Sequence, residues 1–175
     1  MRLGLVVVVG VLTVACGEPV SKADRTSSLD ALIANVTSQV DGEHYAEARA
    51  LVRSYVASEL TAVTSGDEGK ALTAFAASIH EIMLEPADIG LVGQLHEASL
   101  GGLSGDSAAR AAWDAAMAFA TARDYARSVK LARQAAEFAP SGASQRLAAI
   151  AAQLRRAGGN AAADELAVDA GDRTD

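Results

Sequence analysis

The sequence predicts an all-α protein made of antiparallel helix hairpins, and three observations carry that expectation. From Ser28 onward the apolar residues recur at three- and four-residue spacing, the period of a helix buried along one stripe. No segment alternates β-branched with polar residues for long enough to make a strand. Glycine and proline divide the pattern into seven or eight segments with short connections, which bring consecutive helices together antiparallel.

Leu29, Leu32, Ile33, Val36 and Val40 form the first stripe, with Ser28 as a candidate N-cap and Gly42 near the stop. Tyr45, Ala48, Val52, Tyr55, Val56, Leu60 and Val63 continue at helical spacing to Gly66, with Asp67 as the next candidate cap. Leu72, Phe75, Ala76, Ile79 and Met83 give a third helix ended by Pro86. A shorter fourth runs from about Ala87 to Leu100 with Leu91, Val92, Leu95 and Ala98 on its stripe. The run Gly101-Gly102-Leu103-Ser104-Gly105 reads as a flexible connector. Asp106 or Ser107 caps a fifth helix that carries Trp113, Ala116, Met117 and Ala120. The sixth runs from near Asp124 to Ala139 and is stopped by Pro140. Ser141 opens a seventh with Leu147, Ile150, Ala151 and Leu154, ending at Gly158-Gly159, and Asn160 caps a last one to Ala170. The reading divides the chain into residues 1–15, 16–27 as a polar tether, 28–170 as the helical body and 171–175 as a frayed tail.

Residues 1–15 are an address. Arg2 supplies one positive charge, Leu3 to Val14 is apolar, and Ala15 precedes the single cysteine, Cys16. The apolar run is too short for a spanning helix, which needs roughly 20 residues, and its layout is that of a cleavable signal peptide. Leu12-Thr13-Val14-Ala15-Cys16 resembles the lipobox of bacterial lipoproteins, with Thr13 where Leu is commonest. The resemblance implies cleavage between Ala15 and Cys16 and acylation of Cys16, with palmitate-type chains holding the protein at the membrane. It also implies a bacterial cell envelope location. Gly17, rather than aspartate, follows the cysteine, which by the same resemblance favours the outer membrane, facing the periplasm.

A faint internal repeat runs through the body. Tyr45-Ala46 and Tyr125-Ala126 lie 80 residues apart, and the same offset pairs Leu51 with Leu131 and Arg53 with Arg133. Residues 112–140 resemble a tetratricopeptide repeat, with Trp113 at the first-helix anchor, Tyr125 after Asp124 at the inter-helix turn and Pro140 closing the unit. Ala116, Met117 and Ala120 depart from the family's Leu, Gly and Tyr, Ser128 from its small Ala, and Ala132 from its aromatic. Tyr45-x-x-Ala48 copies the second-helix start of the same motif. The resemblance implies a degenerate helical solenoid; an irregular bundle packed on the same stripes is the alternative architecture.

Composition narrows the chemistry. The chain of 175 residues carries 22 acidic and 15 basic side chains, a net charge of -7, so its average field repels phosphates and disfavours nucleic acid as a partner. One cysteine excludes an internal disulfide and any cysteine-built zinc or iron-sulfur site within one chain. His80-Glu81 and His96-Glu97 are ligand types on what could be neighbouring helices, but position 84 is Leu84, so no HExxH is formed, and the three histidines read as surface or turn residues. Met83 and Met117 sit on apolar stripes. Glu81, Glu85 and Asp88 make the densest acidic group, and no nucleophile elbow or phosphate loop accompanies it. No metal, cofactor or catalytic residue is expected, and the chain reads as a non-enzyme.

Charge is nonetheless uneven. Residues 16–106 hold 5 basic and 14 acidic side chains, whereas 107–160 hold 8 basic and 3 acidic. On the sixth helix Arg123, Arg127, Lys130 and Arg133 fall on one side, a solvated face or a patch that docks an acidic partner. The expected function is that of a lipid-anchored envelope adaptor holding another envelope protein on its repeats, as pilotins and assembly factors do. The alternative is a helical-bundle lipoprotein that holds a small ligand or metal.

Overall fold

The computed structural model describes residues 22–172, so Ala15, Cys16 and the signal segment lie outside the described residues. Among the described residues there is no strand, and the fold is all-α. Eight α-helices follow in order among them: α1 (Lys22–Asp41), α2 (Tyr45–Ser58), α3 (Gly66–Ile79), α4 (Pro86–Ser99), α5 (Gly105–Thr121), α6 (Tyr125–Phe138), α7 (Ala143–Ala157) and α8 (Asn160–Gly171). They pack as four successive hairpins, α1–α2, α3–α4, α5–α6 and α7–α8, and α4–α5 packing joins the two halves. No helix among the described residues is long and apolar enough to cross a membrane.

Three of the four hairpins close with the same turn. At its end α1 has Glu43 in the left-handed region (φ 60), with the amide of Glu43 donating to the Val40 carbonyl and that of His44 to Gln39. Arg123 (φ 66) repeats this arrangement with bonds to Ala120 and, from Asp124, to Phe119. Gly158 (φ 92) does so again with bonds to Arg155 and, from Gly159, to Leu154. These paired bonds satisfy the last carbonyls of the incoming helix. The following helix then starts with a small, fully buried residue against it: Ala48, Ser128 or Ala163. The Ser128 hydroxyl donates to the Ala116 carbonyl at 2.8 Å, so a polar residue sits there without loss. The 80-residue offset is therefore structural, since α2 and α6 both begin at the paired tyrosines, one turn type after the preceding helix.

The core has two parts. Leu29, Leu32, Val36, Val52, Leu72, Phe75, Ile79, Met83 and Leu95 fill the first between α1, α2, α3 and α4. Phe119, Leu131, Leu147, Ile150, Leu154 and Leu166 fill the second among alanines of α5 to α8. Nine residues of α5 are buried, seven of them before Phe119 and all alanine. Alanine on every face lets a helix be approached closely from several sides.

Several boundaries differ from expectation. α1 already starts at Lys22, within the stretch read as a tether, and Ser28 is no cap: its hydroxyl donates to the Glu59 carboxylate. α2 ends at Ser58, because the chain at 59–65 runs on without helix and Val63 is buried by a backbone bond to the Ala98 carbonyl at 3.1 Å rather than by helical register. α3 ends at Ile79, and Met83 reaches the core through a 3-10 turn at His80–Ile82. Pro86 opens α4, where its missing amide costs nothing. Asp124 caps α6 through the Arg127 amide, whereas Ser65, Ser104 and Gly159 occupy the N-cap positions expected of Asp67, Asp106 or Ser107, and Asn160. The glycine run at 101–105, read as a flexible connector, is closely packed at Gly101 and Gly102 and open at Gly105. A Cβ on Gly101 would run into the Val63 carbonyl, and one on Gly102 into that of Ser65.

Candidate functional site

α4 is the central helix, packed against α2, α3 and α5, with seven buried residues spread over its surface. Its position creates a cleft lined by two histidines and two carboxylates. Ala77 of α3 and His80 and Glu81 of the following turn line one side; Asp114, Met117, Ala118 and Thr121 of α5 line the other; Val92 and His96 of α4 lie beneath. The cleft measures about 450 Å³.

His96 follows Val92 by one turn and is only 3% exposed, so the reading of the histidines as surface or turn residues fails here. The reason is that α4 is enclosed on several sides, and a residue one turn beyond a core valine is carried inward with it. Its Nδ1 is buried without a hydrogen-bond partner. Burial pushes the imidazole down to about 4, and the neighbouring His80 adds to the effect. His96 is thus a neutral ring with an unused nitrogen. Across the cleft, burial raises the Asp114 carboxyl above its ordinary value, against the opposing pull of Arg110 and His80. Arg110 approaches Asp114 only to 3.9 Å with a side chain 84% exposed, too loosely to neutralise it. Thr121 is fixed at the end of α5, donating to the Met117 carbonyl and accepting from Gln153 Nε2 of α7, both at 3.0 Å.

His80 and His96 meet in this cleft, as neighbouring helices allow, but Glu97 turns away to Lys130 of α6 at 3.6 Å. Among the described residues no group of three or more His, Cys, Asp or Glu could hold a metal ion. Met117 is half-buried at the cleft, while Met83 lies in the core. The acidic group is split. Glu81 lines the cleft, Glu85 precedes α4, and Asp88 is buried, accepting from Arg53 Nε at 2.7 Å and Nη2 at 2.8 Å.

The basic residues of α6 are largely engaged within the molecule. Arg133 reaches Glu165 at 2.7 Å and Asp169 at 2.8 Å on α8. Lys130 pairs with Glu97, and Arg127 pairs with Asp124 at 3.8 Å while its guanidinium lies 5.2 Å from the centre of the Phe119 ring. Arg123 stands in the left-handed turn before them. Lys130 and Arg133 do share a surface groove with Tyr125, Val129, Glu137 and Glu165, but its charges are mixed. Sequence reasoning missed the cleft because its residues come from α3, the turn after it, α4 and α5, which only packing brings together; the spacing of four from Val92 to His96 was the available signal. Compared with family models, with curated proteins and with solved structures, the chain matches none.

Proposed function

We propose that this chain is a non-enzymatic, lipid-anchored adaptor of the bacterial cell envelope, acylated at Cys16 and held at the outer membrane facing the periplasm, whose stacked helix hairpins hold a partner protein. The observation that carries the reading is the repeated hairpin: three identical turns, each followed by a small buried residue, stack helices into a scaffold with an open cleft between α3 and α5. This regularity supports the tetratricopeptide-like interpretation of residues 112–140, and the lipobox-like Leu12 to Cys16 supports the anchor. An acidic mature chain suits a protein partner better than nucleic acid.

In-cell crosslinking of the native protein and of Cys16→Ser, with mass spectrometry of the captured proteins, tests the proposal. One dominant envelope partner, lost or displaced in Cys16→Ser, is the expected result. The second reading, a bundle holding a small ligand, draws on the unpartnered His96 nitrogen. No partner with either protein, together with a small molecule retained in native mass spectra, would favour it.

A further inference from the structure

The cleft over α4 combines features that select one kind of occupant. Glu81 and Asp114 place carboxylates on its two sides, Val92, Met117, Ala77 and Ala118 supply apolar surface, and beneath them the buried His96 holds Nδ1 without a partner. An anionic group would meet two carboxylates and a ring that burial keeps uncharged. An apolar group would leave the already buried His96 nitrogen without a partner and would seal the half-buried Asp114 away from water, which is unfavourable. A long cationic side chain satisfies all three demands at once: its methylenes cover the apolar lining, its charge lies between Glu81 and Asp114, and its N–H groups face an imidazole able to accept. The bases nearby leave that role open, since Arg110 reaches Asp114 only loosely from a solvent-exposed side chain. His80, when charged, is an internal competitor at the cleft beside the loosely held Arg110.

We infer that the cleft between α3 and α5 receives a lysine or arginine side chain from a segment of the partner protein, with Glu81 and Asp114 as its counter-charges and His96 as its buried acceptor. This rests on the adaptor reading for the source of the side chain. The raised Asp114 carboxyl fits it, because a carboxyl short of compensating charge is one that an arriving cation stabilises.

The test uses the full-length protein in detergent micelles with isotope-labelled histidine, the His96 signals being assigned by their loss in His96→Gln. N-acetyl-lysine methylamide, N-acetyl-arginine methylamide and the uncharged N-acetyl-norleucine methylamide are titrated in turn. The lysine or arginine amide should shift the His96 signals saturably, with the norleucine amide at least roughly tenfold weaker. Asp114→Asn and Glu81→Gln, checked for retained helicity, should each weaken the cationic probe severalfold. Equal response to norleucine, no saturable response at all, or indifference to both carboxamide variants would overturn the inference. A partner captured in cells by a photocrosslinker at Ala77, with His96 silent to both cationic probes, overturns it while leaving the adaptor reading standing. A response to the cationic probes without any captured partner supports the side-chain specificity and counts against the adaptor.

Discussion

Arg53 and Asp88 bind α2 to α4 with two hydrogen bonds at 2.7 and 2.8 Å, and the same connection recurs where Arg133 binds Asp169 of α8 from α6 at 2.8 Å. Arg53 and Arg133 are the pair that the 80-residue offset joins, so the second helix of a hairpin reaches the second helix of the next by equivalent arginines. The environments differ. Asp88 is 1% exposed, with Arg49 as a second cation at 3.9 Å, whereas Glu165 is exposed and Asp169 partly so.

That difference predicts unequal costs for equal substitutions. Arg53→Ala leaves a buried carboxylate and should destabilise by about 2 kcal/mol or more, while Arg133→Ala, which strands only solvated acids, should cost below about 1 kcal/mol. Urea unfolding of both variants checks this; a loss for Arg133→Ala as large as that for Arg53→Ala would contradict it.

How much of this was legible in the sequence follows from where each signal resides. The class, the helix count and the hairpin order are properties of single segments, and stripes such as Leu72, Phe75, Ala76 and Ile79 are buried as their spacing predicts. The end of α2 was illegible because Leu60 and Val63 keep helical spacing while the chain reaches the core without a helix. The basic row of α6 was visible, but its acidic partners on α4 and α8 were not, since pairing depends on packing between hairpins. The cleft was the least visible feature: His80, His96 and Asp114 have no spacing relation, and only the central place of α4 gathers them.

The three matching turns give a second prediction. Glu43 and Arg123 are held at φ 60 and 66, where a Cβ is strained, while glycine fills the equivalent place at 158. Glu43→Gly and Arg123→Gly should be neutral or stabilising by up to about 1 kcal/mol, and Gly158→Ala should destabilise by about 1 kcal/mol. Thermal unfolding of the three variants gives the signs; stabilisation by Gly158→Ala would show that these turns are not equivalent.

The joint between the halves supplies a third. A Cβ on Gly93 of α4 would lie 3.1 to 3.2 Å from three atoms of the Phe119 ring of α5, so the two helices approach as closely as they do because glycine stands there. Gly93→Ala must push the ring or separate the helices and should cost about 1–3 kcal/mol despite alanine's better helix propensity. Gly93→Ala combined with Phe119→Leu should recover part of the loss, since the smaller side chain vacates the contact. Strictly additive losses in the double variant would place the strain elsewhere.

The last prediction concerns pH and follows from His96. Burial lowers its folded-state pKa to about 4 from the ordinary 6.5, so between these values the unfolded chain binds a proton that the folded chain does not. Stability from this group is therefore fully present above about 6.5 and falls as pH drops to about 4, with a limit of about 3 kcal/mol set by the shift. His96→Gln, which cannot take up a proton, should flatten the unfolding free energy across that window relative to the native protein. The carboxylates titrate in both proteins, so the difference between the two curves isolates the imidazole. Parallel curves from pH 7 to pH 4 would mean that His96 is as well solvated folded as unfolded, and that the cleft over α4 stands open to water.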